Sequence, residues 1–250
     1  MLQLEGPVVV AGDWHGNINF ALGAIKQAHS MGTSTILHVG DFGYFRPSAL
    51  NGLEHLLLFL GITIYWIDGN HENHDLLSTL ARDEDGLAQT GQNMYHIKRG
   101  TVFEVDGVKW LGLGGAASVD RQGRTEGWDW WPGELISNQE AEYACSHGSV
   151  HVMLSHDAPH GSEILSLNGR KTSPMWPSVD LVTASQQRDI LTDVVRIVKP
   201  EVVFHGHWHI RYTEDVSVDS RIVRFEGLDC DGARGYTRNI VLVDSYGNLI

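Results

Sequence analysis

Cysteine is nearly missing from this chain: Cys145 and Cys230 are the only two in 250 residues. Their separation matches no metal-binding or redox spacing and gives no disulfide framework, so a reducing interior is the expected setting. Basic residues are scarce as well, 18 Lys and Arg against 31 Asp and Glu, for a formal net charge of -13. Such a balance argues against a protein held to nucleic acid by a basic surface, and no stable nucleic-acid partner is expected. Nowhere do about 18 apolar residues run uninterrupted, as a membrane-spanning helix requires. Met1 to Pro7 has neither the basic start nor the apolar stretch of a secretion signal. A cytoplasmic protein with no membrane partner is the expectation. Seven prolines and no low-complexity tract give no sign of a linker. Residues 1–250 are expected to form one domain, with 42% hydrophobic content to fill its core.

What is present is a repeated pattern. A β-rich run from Pro7 to Ala11 ends in Gly12-Asp13-Trp14-His15-Gly16, and helical spacing follows from Asn17 to Met31. Ser34 to Val39, the loop Gly40-Asp41-Phe42-Gly43 and a helix over Asn51 to Leu60 repeat it. So do Ile62 to Ile67, Asp68-Gly69-Asn70-His71-Glu72 and a helix over His74 to Ala81. Three strand-loop-helix units in succession predict a parallel sheet with helices on its face. Beyond them, Thr101 to Val105 and Val108 to Leu113 predict a hairpin across Asp106-Gly107. Helices are expected over Ser137 to His147 and Ser185 to Val198, the second stopped by Pro200. Strands are expected at Val150 to Leu154 and Val202 to Phe204, then antiparallel strands at Arg211 to Thr213, Ile222 to Phe225 and Ile240 to Val243. The fold class expected is α/β, two sheets packed face to face with helices outside. Ala116 to Glu134 and Asp157 to Ala184 lack periodicity and are expected to be long loops at the site.

The chemistry-bearing residues fall in loops directly after predicted strands: Asp13, His15, Asp41, Asn70 with His71, His156, then His207 and His209. Seven of these make a mixed nitrogen and oxygen ligand set for two adjacent divalent ions, and such a set suits manganese, iron, zinc or nickel better than calcium or magnesium. A carboxylate has two oxygens and a full charge, so Asp41 is the best candidate to bridge the ions. Two ions about 3.5–4 Å apart can neutralise phosphoryl oxygens and activate a water, which makes phosphoester hydrolysis the natural chemistry. Each motif alone has a plainer explanation, since Gly-Asp is a common turn and Asn70 is a good helix cap; in series they carry the argument together. His29, His55, His96 and His147 are expected at the surface or at helix ends. His205 is expected in the core or behind the site, while His74 and His160 lie close enough in sequence to touch substrate.

Gly12-Asp13-x-His15-Gly16, Gly40-Asp41, Gly69-Asn70-His71-Glu72, the isolated His156 and Gly206-His207-x-His209 resemble the ordered motifs of the calcineurin-like metallophosphoesterase superfamily. The tryptophan-rich loop is similar to those of small stand-alone members in bacteria and their phages. The resemblance implies a four-layer sandwich of two mixed sheets flanked by helices. It also implies that Asp13, His15 and His209 hold one metal, that Asn70, His156 and His207 hold the other, and that Asp41 bridges them. His71 would be the catalytic residue, acting on the leaving-group oxygen while a metal-bridging hydroxide attacks phosphorus.

The substrate is written less plainly. Protein phosphatases of the superfamily carry Gly-Asp-x-x-Asp-Arg-Gly, whose arginine grips a monoester, whereas this chain reads Gly40-Asp41-Phe42-Gly43-Tyr44-Phe45-Arg46. The missing Asp-Arg-Gly favours a diester, although Arg46 is a candidate to reach the phosphate by another path. Trp128, Trp130 and Trp131 beside Arg121 and Arg124 suggest a wall where a base stacks and a phosphate pairs, with Arg121 and Trp130 as its leading members. The expected function is therefore a two-metal phosphodiesterase on small substrates such as 2′,3′-cyclic nucleotides, with manganese the favoured metal. The alternatives are a phosphomonoesterase acting on proteins or nucleotides, a nuclease, and a non-catalytic metal-bound scaffold.

Overall fold

The computed structural model describes residues 1–46, 48–164 and 177–250. Its strands are β1 (Gln3–Leu4), β2 (Val8–Ala11), β3 (Thr35–His38), β4 (Thr63–Trp66), β5 (Leu87–Gly91), β6 (Met94–Ile97), β7 (Thr101–Val105), β8 (Val108–Leu113), β9 (Val152–Ser155), β10 (Val202–His205), β11 (Tyr212–Val218), β12 (Arg221–Gly227) and β13 (Ile240–Val243). The helices are α1 (Ile18–Ser30), α2 (Asn51–Leu60), α3 (His74–Thr79), α4 (Asn138–Ser146) and α5 (Ser178–Val198). One sheet runs β13-β2-β3-β4-β6-β5 and the other β1-β7-β8-β9-β10-β12-β11.

The layering follows from the alternation of side chains along each strand. Val8 and Val10 of β2, Leu37 of β3, Val152 and Leu154 of β9, and Val202 and Phe204 of β10 meet in the space between the sheets. Their neighbours Val9, Ala11, Ile36 and Ile64 face outward, against Ala24, Ile25 and Ala28 of α1 and Leu53 and Leu57 of α2. On the other side Leu111, Met153, Val203 and Phe225 pack under Leu191, Val194, Val195 and Val198 of α5. The result is the expected helix, sheet, sheet, helix arrangement. Strands β2, β3 and β4 run parallel in one sheet, and β8, β9 and β10 run parallel in the other. The loops after β2, β3, β4, β9 and β10 carry all five motifs, and their side chains converge along one edge of the sandwich.

Several expectations needed correction. The last helix begins at Ser178, not Ser185, so the end of the expected 157–184 loop is its first two turns; residues 165–176 lie outside the described residues. Strands β5 and β6 form a hairpin that the sequence reading missed, with Asn93 at φ 58 in its turn. The final strands are not simply antiparallel to one another. β11 and β12 are an antiparallel pair, β12 lies parallel to β10, and β13 crosses to the other sheet beside β2. The Asp106-Gly107 hairpin forms as expected, with φ 47 and 80 at its two turn residues.

Candidate metal centre

Asp13, His15, Asp41 and His209 bring one potential ligand atom each within 4.8 Å of one another, and so do Asp41, His156 and His207. Asp41 is common to the two groups. His15 Nε2 lies 3.4 Å from Asp41 Oδ2, His156 Nε2 lies 3.4 Å from the same oxygen, and His209 Nε2 lies 3.1 Å from Asp13 Oδ2. Asn70 joins the second group: its Oδ1 is 3.2 Å from His156 Nε2 and 3.0 Å from His207 Nδ1.

The backbone is shaped for this meeting. His15, Asp41, His207 and His209 all take positive φ, at 45, 51, 64 and 54°. Non-glycine residues adopt that region at a cost, and strain of this kind gathers at functional sites. Gly206 admits Asp13, because a Cβ at that position would stand 1.9 Å from Asp13 Oδ1. The same glycine turn lets the His207 N–H donate to the Asp13 carboxylate, at 3.0 Å to Oδ2.

Supporting groups fix which atom each candidate ligand presents. His156 Nδ1–H donates to the Val39 carbonyl at 2.8 Å, which turns Nε2 toward Asp41. Asp231 Oδ1 lies 3.0 Å from His15 Nδ1 and does the same for His15. Asn70 Nδ2 donates to Ser118 Oγ at 3.0 Å, and the Ser118 hydroxyl donates to Glu134 at 2.6 Å, so Asn70 Oδ1 is left facing the histidines. Glu72, fully buried, accepts from the N–H groups of Gly43 at 2.9 Å and Gly69 at 2.6 Å and ties the second and third loops together. Burial and the charge of Asp41 push the Glu72 carboxyl up to about 7 against those two bonds.

The electrostatics ask for positive charge. Burial alone would raise Asp13 and Asp41, yet both fall below the ordinary carboxylate value, Asp13 through its bond to His209 and Asp41 through His156, His71 and His15. Burial opposes a proton on the partner imidazoles, but the carboxylates win and hold His15 at about 9, His156 at about 10 and His209 at about 10. Burial dominates at His207, which is pulled down to about 4. Two carboxylates at no more than 1% exposure surrounded by imidazole nitrogens aimed at them form a socket for cations. Protons can fill that socket, and divalent ions fit the nitrogen and oxygen donors better because each bonds several at once.

These features, five motif loops at one edge of a two-sheet sandwich, match a known architecture. The family model of the calcineurin-like phosphoesterases covers residues 6–211. The chain belongs to that family. Solved structures share the phosphoesterase fold at low identity. One is TT1561 of Thermus thermophilus, with 10% identity, TM-score 0.56, and coverage of 95% of this chain and 93% of that one. Another is a dimetal phosphatase from Danio rerio, with 11% identity, TM-score 0.57, and coverage of 96% and 94%. As a calcineurin-like phosphoesterase the chain is a metal-dependent phosphoester hydrolase by family, and the Asp and His groups above are its candidate dinuclear centre.

The remaining candidates are scattered. His71 borders the cluster: its backbone N–H donates to Asp41 Oδ1 at 2.9 Å, and its ring, 34% exposed, has Nε2 4.0 Å from Asp41 Oδ2. Burial first, and the adjacent Arg124 charge against that of Asp41, hold the His71 ring below the ordinary imidazole value. His74 is not brought to the cluster. Its ring is buried against Asp68 and Arg99, with Nδ1 3.8 Å from Asp68 Oδ2, because α3 turns that residue inward. Arg46 is exposed in the turn before α2. Arg121 is drawn away by Asp180 at 3.2 Å and covers the Trp130 ring at 5.2 Å. Trp130 and Trp131 are buried, so neither offers a stacking face, whereas Trp128 is 81% exposed. His160 is tied to α5 through the Ser185 carbonyl at 3.1 Å and Asp189 at 3.2 Å. His96, expected at the surface, is buried with Nε2 3.0 Å from Asp68. His205 is buried as expected, 2.6 Å from the Tyr212 hydroxyl.

The sequence reading did not single out Asp231, Ser118, Glu134 or Glu72. It mentioned Arg124 only beside the tryptophans, and that arginine lies against His71, with Nη1 3.1 Å from Nδ1 and Nη2 3.2 Å from Nε2. Arg124 carried one usable signal, its place in a loop too long to be a mere connection.

Proposed function

We propose that this chain is a two-metal phosphodiesterase acting on small substrates, 2′,3′-cyclic nucleotides among them. The observation that carries the reading is the pair of ligand groups sharing Asp41, with His71 at their open border. Asp13, His15 and His209 would hold one ion and Asn70, His156 and His207 the other, with Asp41 common to both. Divalent ions there, manganese first and iron, zinc or nickel as alternatives, supply charge to the phosphoryl oxygens and an activated water. His71 is held at its backbone by Asp41, and its half-exposed ring meets Arg124 at the rim of the cluster, the placement of a group that gives a proton to a departing alkoxide once a ligand displaces that contact.

A diester has one negative charge on its phosphoryl group and needs less cationic help than a monoester. Arg46 stands exposed in its turn, and among the described residues the guanidinium at His71 is that of Arg124, whose charge is partly balanced by Asp120, with Nε 2.8 Å from Oδ1. The phosphomonoesterase reading has that same Arg124 in its favour, because it supplies a guanidinium that the second motif lacks. Trp128, four residues along the same loop, is 81% exposed and offers an aromatic face to a base.

The test is turnover with manganese on bis-p-nitrophenyl phosphate against p-nitrophenyl phosphate, followed by a panel of cyclic nucleotides. The diester should be the better substrate, and the reverse ranking would sink the diesterase reading. His71→Ala should lower kcat while retaining metal, whereas Asp41→Asn should lose both; equal metal loss would show that His71 has been given the wrong role.

A further inference from the structure

The loop between β8 and α4 delivers one arginine to the candidate centre and fastens it there. Arg124 is bound edge-on by Asp120, Nε at 2.8 Å from Oδ1 and Nη2 at 3.0 Å from Oδ2, and its Nη1 donates to the Asp129 carbonyl at 3.3 Å. Asp129 in turn accepts from the Thr125 N–H at 2.5 Å, which closes the loop on itself. The side chain of Arg124 is only 12% exposed. A long, flexible cation has thus been immobilised before any ligand arrives, and the entropy of ordering it is already spent.

What the far edge of the guanidinium meets is a poor partner. Nη1 and Nη2 lie 3.1 and 3.2 Å from the two nitrogens of His71. A neutral imidazole has one acceptor nitrogen, and its other nitrogen is a donor. At most one of the two contacts is a hydrogen bond, and the second sets a donor against a donor. A guanidinium held by a carboxylate on one edge and under-bonded on the other is prepared for an acceptor with two oxygens side by side, the geometry of a phosphoryl group.

We propose that Arg124 is the residue that grips the phosphoryl oxygens of the substrate, with Asp120 as the residue that positions it. The inference rests on the phosphoesterase reading for the identity of the ligand, and it assigns the grip to Arg124 in place of Arg46 and Arg121. Ligand entry transfers the Nη1 and Nη2 donors from the His71 ring to two phosphoryl oxygens and leaves the ring free for the leaving-group oxygen. No bond is made or broken in this exchange.

Inorganic phosphate binding to the manganese-loaded full chain, read by calorimetry, tests it apart from turnover. Arg124→Ala should weaken binding at least about tenfold, the loss expected for a charge-assisted pair of hydrogen bonds, with manganese content and melting temperature near those of the parent. Arg124→Lys should recover part of the affinity, because an ammonium supplies the charge and not the fork. Asp120→Asn should weaken binding less than Arg124→Ala, and Arg121→Ala should stay within about twofold of the parent. Phosphate affinity unchanged in Arg124→Ala, or lost equally in Arg121→Ala, would overturn the assignment. If Arg124→Ala does not fold, the Arg124→Lys and Arg124→Gln proteins carry the comparison, and equal affinity in those two overturns it. A parent that binds phosphate through Arg124 yet hydrolyses no phosphoester would overturn the phosphodiesterase reading and leave the grip standing.

Discussion

Asp231 holds the ring of His15 from behind: Oδ1 lies 3.0 Å from Nδ1, while Nε2 on the opposite side of the ring lies 3.4 Å from Asp41 Oδ2. The other Asp231 oxygen accepts from Asn17 Nδ2 at 2.8 Å, so the carboxylate cannot swing away without losing a second bond. A carboxylate behind an imidazole ligand fixes its tautomer and raises its basicity, and loss of such support commonly weakens metal binding about 10–100-fold. Asp231→Ala should therefore weaken the tighter or the looser of two manganese sites by about that factor and leave the other within about threefold. Manganese titration followed by calorimetry would show it, and two unchanged sites would mean that Asp231 serves only the α1 terminus.

Metal binding should also release protons, with a pH dependence set by three histidines. In the metal-free protein burial pulls His15, His156 and His209 down, yet Asp41 and Asp13 hold them at about 9, 10 and 10. Manganese must displace those protons, so affinity should climb as pH rises toward 9, and titrations in buffers of different ionisation heat should count the protons released. His207, already near 4, contributes none at neutral pH. The linked stability runs the opposite way. A histidine whose folded value exceeds its unfolded 6.5 stabilises fully below 6.5, and the contribution is lost as pH rises through 9 to 10. Metal-free protein should melt earlier across that window while manganese-loaded protein holds; parallel melting curves would contradict it.

The fold was legible where the information is local. Gly12-Asp13-x-His15-Gly16 and Gly206-His207-x-His209 announce themselves because each packs a strand end, a positive φ and two donors into a few residues. The run from Pro7 to Ala11 was legible as a strand, whereas its division into Val8 and Val10 facing the other sheet and Val9 and Ala11 facing the helices is seen only in the structure. The support of the centre was not legible, because it is built by long-range approach: His15 and Asp231 are 216 positions apart, and Trp14 bonds Asn239 across 225. Arg121 and Arg124 look equivalent in sequence. Only the positions of Asp180 and Asp120 send one outward and the other to His71. The β5–β6 hairpin escaped notice because its turn uses Gln92-Asn93 in place of a glycine pair.

Gly206 offers a test of the socket that leaves every candidate ligand in place. A methyl group there would stand 1.9 Å from Asp13 Oδ1 and 3.3 Å from Val39, so Asp13 or the β10 turn must shift. Gly206→Ala should reduce bound manganese below two per chain and lower the melting temperature by several degrees, about what 1–3 kcal/mol of overpacking gives. Gly123→Ala is the matched control, since nothing lies within 4 Å of its added carbon. Full metal content in Gly206→Ala would show that the turn tolerates displacement.

Stability in acid should hinge on Asp68, two residues before Asn70. Its Oδ2 receives Arg99 Nε at 2.8 Å and Nη2 at 2.6 Å, and its Oδ1 lies 3.0 Å from His96 Nε2. Arg99 also donates to the carbonyls of Gly133, Glu134 and Leu135, so the pair links the third motif loop to the end of the loop that carries Arg124. Burial would raise the Asp68 carboxyl, but Arg99 first and His96 next hold it well below 3.8. A carboxylate depressed in this way stabilises the fold above its unfolded value of about 3.9, and the contribution is lost as pH falls below it. Urea unfolding should show a steep loss of stability below about pH 4 in the parent and a shallower one in Asp68→Asn. At neutral pH Arg99→Ala should cost about 3–5 kcal/mol, because it leaves Asp68 charged and buried with no cation beside it. Asp68→Asn combined with Arg99→Ala should cost less than Arg99→Ala alone, since the stranded charge is then gone. A double variant no more stable than Arg99→Ala would place the cost in the lost carbonyl bonds to 133–135 and not in the ion pair.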